Sequence, residues 1–242
     1  MSNIIAIIPA RMASTRFPGK PLANIAGKPM IAHVLQRVKD AGIGQVVVAA
    51  CEQEVVDVVH GLGCSAVMTN PDHPTGTDRI FEALNIMGSN ADVIINVQGD
   101  LPTLEPHLVT SVANLISNHN NYDMGTLAAK ITREEEKQDP NVVKAVIGGY
   151  DESSRQGKAL YFSRATVPYG EGDLYHHIGI YAYRRAALER FVSLAPSLLE
   201  QRERLEQLRV LENDMTIGVS VVDTVPLGVD TPEDVARAEQ LL

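Results

Sequence analysis

The chain has 242 residues, 45% of them hydrophobic and 21% charged, enough for one large core and near the upper size of a single domain. A formal net charge of −9 argues against a nucleic-acid surface, because a phosphate backbone would be repelled unless the basic residues were segregated. Cys51 and Cys64 are too few for a disulfide framework or a zinc site and fit a reducing compartment, with small buried hydrophobes as the plainer reading of both.

Ile4 to Ile8 is an apolar, mostly β-branched run that reads as a buried parallel strand, with Pro9 stopping the ladder so that the chain turns over the strand's carboxyl end. Open α/β sheets bind ligands at that edge. The loop that follows carries Arg11, Arg16 and Lys20, with Ser14 and Thr15 between them and Pro18, Gly19 and Pro21 to stiffen it. Two guanidinium forks, an ammonium and two hydroxyls suit a triphosphate, and backbone N–H groups near Gly19 add neutral donors. A lone charged triplet usually belongs to a solvated loop, but three cations in one stiffened loop behind a buried strand favour an anion site. It is no Walker A loop: Gly19-Lys20 lacks the upstream glycine, and Pro21 stands where a magnesium-binding Ser or Thr would be. No G-x-G-x-x-G follows a strand, so dinucleotide binding has no support.

Pro29 suits a first helical position, Ile31, Val34, Leu35 and Val38 recur at helical spacing, and Gly42 ends that run. A second strand is expected over Gln45–Ala50, a helix over 55–62, a short strand over 66–68, a helix over 78–87 and a fourth strand over Val93–Asn96. This alternation implies a parallel sheet with helices on both faces. From Asp123 the rhythm changes to strands over 124–131, 142–147, 159–162 and 177–183 without long helices between them, which implies an inserted antiparallel lobe. Ser197 with Glu200 forms a capping-box pattern for a helix to about Glu212, whose Leu205, Leu208 and Leu211 would face a core or a second subunit. A strand over 218–222 follows, and Thr231 caps a final helix with Pro232 at its first position. The division reads as a core of 1–121 and 217–242 with a lobe of 122–216. No basic leader precedes a long apolar stretch and Ile4 to Ile8 is too short to span a bilayer, so a cytoplasmic protein without a membrane contact is expected.

Asp100 lies just past the fourth strand in Gln98-Gly99-Asp100, where the glycine would let backbone approach a ligand and the carboxylate points from the sheet edge. It is a candidate magnesium ligand, since that ion takes few protein carboxylates and completes its shell with phosphate and water. Asp230 is the natural second, though by itself it equally suits the turn before the Thr231 cap. Gly76-Thr77-Asp78-Arg79, taken alone, is only a helix start with a capping hydroxyl.

The run Arg11 to Pro21-Leu22, the blocks Gly76-Thr77-Asp78-Arg79 and Asn96-Val97-Gln98-Gly99-Asp100, and Tyr161-Phe162-Ser163-Arg164 fall in order along the chain. With His177-Ile178-Gly179-Ile180-Tyr181, Leu205-Glu206-Gln207-Leu208-Arg209 and Val229-Asp230-Thr231-Pro232-Glu233-Asp234, they resemble the 3-deoxy-manno-octulosonate (Kdo) cytidylyltransferases. The resemblance implies one nucleotidyltransferase domain of α/β class, a mostly parallel nucleotide-binding sheet flanked by helices with an inserted antiparallel lobe, like the nucleotide-diphospho-sugar transferases. It implies CTP and a sugar acid as substrates, CMP-Kdo and pyrophosphate as products, Mg2+ as cofactor, a role in lipopolysaccharide biosynthesis and a homodimer. Arg11, Lys20 and Asp100 would be catalytic. Pro9, Ala10, Arg11, Ser14, Thr15, Arg16, Lys20, Gly76, Thr77 and Gln98 would bind the nucleotide, and Asp100 and Asp230 the metal. Arg164 would neutralise the sugar carboxylate while His177, Glu206 and Gln207 bind hydroxyls; for His177 a satisfied structural histidine competes with that role. Leu101 stands where the family commonly has glutamate, and Val48-Ala49-Ala50-Cys51 where it often has a threonine and an aspartate, so no polar role is expected in that block; with Asp100 present, altered metal affinity or substrate choice is expected more than loss of reaction. A cytidylyltransferase for an 8-amino or sialic-acid-type sugar, or a noncatalytic nucleotide-sugar-binding protein, are the alternatives.

Overall fold

Ile5, Ala6, Ile7 and Ile8 are essentially without solvent contact because β1 (Ile4–Ala10) lies inside a parallel ladder. The computed structural model describes residues 3–14 and 16–242 and divides into two units: residues up to Thr110 with Pro226–Leu242, and Ser111–Val225.

In the first unit β1 is flanked by β4 (Gln45–Ala50) and β6 (Val93–Asn96), and β5 (Ser65–Met68) lies outside β4, all parallel. The β1 ladder does not stop at Pro9: Pro9 and Ala10 pair with Ala49 and Ala50. Val97 N–H donates to the Ile7 carbonyl, so Pro9, two residues on, also faces the β6 side, beyond the last residue of β6. Its missing N–H therefore costs no ladder bond. A 3-10 turn at Lys20–Leu22 and a small hairpin of β2 (Asn24–Ile25) and β3 (Lys28–Pro29), both unforeseen, lead into α1 (Met30–Asp40). Pro29 is the cap of α1, one position before the first helical residue. α2 (Gln53–Gly61) and α3 (Gly76–Ile86) follow their strands as periodicity predicts. α9 (Pro232–Glu239) opens with a Thr231–Asp234 capping box. Phe17, Leu227 and Val235 pack on Ile25, Met30, Val229 and Ala238, so the cation-bearing loop and the C-terminal segment share a small core.

α4 (Pro106–Asn118), also unforeseen, leads into the second unit. There β7 (Met124–Lys130), β8 (Lys144–Asp151), β9 (Gln156–Ser163), β10 (Tyr175–Arg184) and β11 (Ile217–Val222) lie in the order β10-β7-β11-β9-β8, and β10 meets β8 again at His176 and Lys144. The lobe is mixed, because β11 runs parallel to β7 while its other neighbour, β9, is antiparallel. That pairing also puts β11 in this unit, so the division falls at 110 and 225 rather than at 121 and 216.

α5 (Glu134–Gln138) and α6 (Arg185–Ser193) are followed by two short helices, α7 (Leu198–Glu203) and α8 (Leu208–Glu212), where one capped helix was expected. Arg204 takes a left-handed conformation, with φ 57°, and breaks the run after α7, so Glu206 and Gln207 sit in the turn before α8. Glu200, a member of the Ser197 capping box, accepts from Arg209 Nε at 2.8 Å and Nη2 at 2.5 Å with both side chains buried, and the Arg209 guanidinium stacks 4.5 Å from the Phe191 ring. Arg209→Met strands the Glu200 charge and is expected to cost about 3–5 kcal/mol in urea unfolding, whereas replacing the exposed Arg202 is expected to cost under about 0.5 kcal/mol.

Candidate active site

A cleft of about 650 Å³ opens at the carboxyl ends of β1 and β6, within the first unit. It is lined by Pro9, Ala10, Arg11, Ser14, Arg16 and Lys20 from β1 and its loop, by Gly76 from α3, by Gln98 and Asp100 after β6, and by Asp230 before α9. This is the edge at which open α/β sheets take ligands. Thr15 lies outside the described residues.

Local chemistry shapes the loop. Gly19, with φ 74°, sends its N–H to the Met12 carbonyl at 2.9 Å, and Lys20 N–H reaches the Phe17 carbonyl at 3.2 Å. The Ser14 hydroxyl accepts from Phe17 N–H at 3.3 Å, so it shapes the turn as well as facing the cleft. Glu52, the residue that caps α2 just past β4, accepts the Met12 N–H on Oε1 at 3.0 Å and fixes where the loop leaves the sheet. Sequence reasoning missed Glu52 because nothing in its own neighbourhood marks a residue that reaches forty positions back.

Asp100 and Asp230 converge although only Asp100 follows a strand of this unit. Asp230 arrives on a loop clipped to the segment after β6: Leu227 N–H donates to Thr103 Oγ1 at 2.9 Å, and Val229 N–H to the Asp100 carbonyl at 2.9 Å. Asp234 Oδ2 takes the N–H groups of Asp230 and Thr231 at 3.1 and 3.0 Å. The backbone of Asp230 makes the turn before α9 while the residue lines the cleft. Lys20 Nζ donates to Asp100 Oδ2 at 2.7 Å and Asp230 Oδ1 at 3.2 Å, and Arg16 Nη2 to Asp230 Oδ1 at 3.1 Å. Arg11 makes no ion pair among the described residues. Two carboxylates close enough to share one ammonium form a donor set that fits magnesium when phosphate and water complete the shell. Among the described residues no cluster of three or more His, Cys, Asp or Glu side chains is set to hold a metal by itself.

Two nucleotide-site expectations change. Thr77 is fully buried, with Asn96 Nδ2 donating to its hydroxyl at 3.5 Å, and does not line the cleft. The capping hydroxyl of α3 is that of Thr75, which accepts from Asp78 N–H at 3.2 Å and does line it. Gly99 is required by a close approach, but to the protein itself: a Cβ there would stand 2.8 Å from the Pro9 carbonyl oxygen. Arg79, quoted only as part of its block, is buried and donates to Thr69 Oγ1 at 2.7 Å and the Asn70 carbonyl at 3.1 Å, holding the loop that precedes α3.

In the second unit His177 and Gln207 do meet. His177 Nε2–H donates to Thr126 Oγ1 at 3.0 Å, Nδ1 accepts from Gln207 Nε2 at 3.5 Å, and Tyr181 Oη donates to Gln207 Oε1 at 3.2 Å. Thr126 Oγ1 lies 3.1 and 3.0 Å from the Ile178 and Ile180 carbonyls, which the β10 bulge turns toward it. Burial first, and then the neighbouring His176, push the His177 pKa down to about 3, so the ring is neutral. Tyr181, buried and near Glu206, is pushed up and keeps its proton. Arg164 is not an idle fork: Nε–H donates to the Glu203 carbonyl at 2.9 Å and Nη1 to the Pro140 carbonyl at 3.0 Å, tying two chain segments together.

A cytidylyltransferase family profile matches residues 5–217. The 3-deoxy-manno-octulosonate cytidylyltransferase of Paramagnetospirillum magneticum is 58% identical over 98% of this chain and 97% of its own length. Its counterpart from Azorhizobium caulinodans is 56% identical over 100% and 96%. A solved CMP:2-keto-3-deoxy-manno-octonic acid synthetase complexed with CTP superposes with a TM-score of 0.92 at 38% identity, covering 99% of this chain and 98% of that one. A 4-diphosphocytidyl-2C-methyl-D-erythritol synthase from Anaerococcus prevotii, 15% identical with a TM-score of 0.64, shares the fold. Fold, cleft and profile define a nucleotide-transferring α/β enzyme of the cytidylyltransferase class. Within that class the chain belongs to the 3-deoxy-manno-octulosonate cytidylyltransferase family.

Two measurements check the site's supports. The unfolded chain protonates His177 near pH 6.5 and the folded chain only near 3, so this residue withdraws stability as pH falls through that window, at up to about 1.4 kcal/mol per pH unit. Urea unfolding of His177→Gln is expected to show an acid slope shallower by that amount. Glu52→Ala is expected to raise the KM for CTP about tenfold with a smaller change in kcat, and Glu52→Gln, which keeps an acceptor for Met12 N–H, to recover most of it.

Proposed function

We propose that this chain joins CTP to 3-deoxy-manno-octulosonate, releasing pyrophosphate and forming the CMP-sugar for lipopolysaccharide biosynthesis, as a magnesium-dependent cytoplasmic homodimer. The observation that carries the nucleotide half is the convergence of Arg11, Arg16 and Lys20 with Asp100 and Asp230 at one sheet edge. The sugar half rests on full-length relatives that carry the Kdo name, which leaves the 8-amino and sialic-acid readings and a noncatalytic binder unfavoured.

The anomeric hydroxyl oxygen forms a bond to the α-phosphorus, the bond from that phosphorus to the bridging oxygen of the β-phosphate breaks, and the hydroxyl proton passes to solvent. Arg11 and Arg16 hold the triphosphate, and their positive charge meets the negative charge that gathers on the departing pyrophosphate. Asp100 and Asp230 would hold magnesium, which when bound neutralises phosphate charge and lowers the pKa of the attacking hydroxyl. Pro9, Ala10, Gly76 and Gln98 shape the base end of the cleft. In the second unit the neutral His177 and Gln207 offer polar contacts for sugar hydroxyls beside Glu206, and Arg164 fixes the segments around them and supplies positive charge toward the carboxylate.

Pyrophosphate release, measured with CTP, UTP and ATP crossed with Kdo, 8-amino-Kdo and a sialic acid, is expected for CTP with Kdo; no release with that pair, or faster release with another acid, overturns the reading. Asp100→Asn and Asp230→Asn are each expected to lower magnesium-dependent turnover by about two to four orders of magnitude. Because they serve one assembly, the double variant should be scarcely worse than the poorer single one.

A further inference from the structure

Lys20 was expected among the phosphates, yet its ammonium lies between the two carboxylates assigned to the metal, 2.7 Å from Asp100 Oδ2 and 3.2 Å from Asp230 Oδ1. Its side chain is the most covered of the group, at 16% exposure against 30% for Asp100, 46% for Asp230 and 67% for Arg16. We propose that Lys20 is an internal stand-in for the divalent cation: in the nucleotide-free enzyme its ammonium holds the metal position, so the site admits a divalent ion only together with a triphosphate. This deepens the function proposed above and rests on its assignment of Asp100 and Asp230 as metal ligands.

The argument is one of charge. Without ligand, Lys20 and Arg16 neutralise Asp100 and Asp230, and no net attraction draws in a divalent ion. A hard cation arriving alone must displace an ammonium that already satisfies both carboxylates, and leave that ammonium unpaired beside a doubly charged ion. A nucleotide without metal could draw Lys20 to its phosphates only by leaving Asp100 uncompensated, and Asp230 with Arg16 alone, against the triphosphate. When both arrive, the exchange balances: the ammonium moves to phosphate oxygens, and the divalent ion takes its place between the carboxylates. Nucleotide must then raise metal affinity, and metal must raise nucleotide affinity by the same factor. Lys20 is thus a positioning residue for the metal in addition to its place beside the triphosphate.

The test reads binding, not turnover. Manganese chloride is titrated into nucleotide-free enzyme, and free Mn2+ is followed by its paramagnetic resonance signal. Lys20→Met, and Lys20→Gln as a second variant, are expected to bind Mn2+ at least about tenfold more tightly than the unaltered enzyme. The gain must vanish in Lys20→Met/Asp100→Asn. Mn2+ affinity in the Lys20 variants no greater than in the unaltered enzyme, or a gain that survives Asp100→Asn, overturns the proposal. If instead Asp100→Asn and Asp230→Asn leave Mn2+ binding with CTP at full strength in the unaltered background, the metal-ligand assignment itself fails and takes the proposal with it. A flat Lys20 result with intact carboxylate dependence refutes the stand-in alone.

Discussion

The ammonium of Lys20 between Asp100 and Asp230 is the contact on which the nucleotide cleft depends. Two carboxylates on neighbouring loops repel, and a single side chain reaching both turns that repulsion into an attachment. The three residues come from three distant parts of the chain, and neutral contacts bring them together. Thr103 with Leu227 and Asp100 with Val229 fix the C-terminal loop by backbone bonds, and Phe17 seats the cation loop on the same small core as Val229 and Val235. Charge therefore adds to an arrangement that packing has already made. The cation that keeps the ligand-free cleft together is also the one best placed to follow the phosphates.

Much of the first unit was legible because its signals are local. Gln45–Ala50 and Val93–Asn96 were placed to the residue, since a fully buried parallel strand is a short apolar run bounded by polar turns. The cation loop was legible for a similar reason, its residue types being contiguous. Where the reading slipped, a local cue was overruled by the wider ladder. Pro9 is a breaker only where a neighbour needs its N–H, and in β1 none does. Thr77 carries the hydroxyl nearest the start of the helical pattern, but the helix begins early enough for Thr75 to cap it, and Thr77 then turns to the buried face. Gly99 lines the cleft, and the backbone that approaches it is that of Pro9.

The second unit was harder, because strand partners are a long-range property. Four strands without intervening helices suggest antiparallel pairing, which β7, β8, β9 and β10 keep among themselves, while β11, read as a core strand, enters parallel to β7. The break at Arg204 was invisible to a periodicity that continues through Leu205, Leu208 and Leu211, and that break puts Glu206 and Gln207 in a turn. The candidate sugar residues were named through resemblance, and the structure adds what resemblance lacks, their present partners. His177 is a ring whose polar atoms are met by Thr126 and Gln207, the structural reading that the sequence left open. A histidine so buried is a poor proton shuttle near neutral pH, so its chemistry is hydrogen-bond geometry. Arg164 ties two chain segments together through the Glu203 and Pro140 carbonyls.

The departures from the family pattern can be weighed from their surroundings. Leu101 removes a carboxylate from the sequence beside Asp100, and its side chain reaches toward Gly228 in the segment that delivers Asp230. Apolar packing there supports the approach of the two loops, so the substitution leaves the Asp100–Asp230 pair in place and the site with one negative charge fewer. Burial pushes the Cys51 thiol pKa up. Glu52, one residue on, takes the Met12 N–H on Oε1, while Oε2 is buried without a hydrogen-bond partner among the described residues. A buried carboxylate oxygen left unpaired is costly unless nearby positive charge offsets it. Arg79, whose charge also reaches Cys51, lies on that side of the cleft. The loop that Glu52 anchors is the one that must hold still while the triphosphate exchanges partners with Lys20.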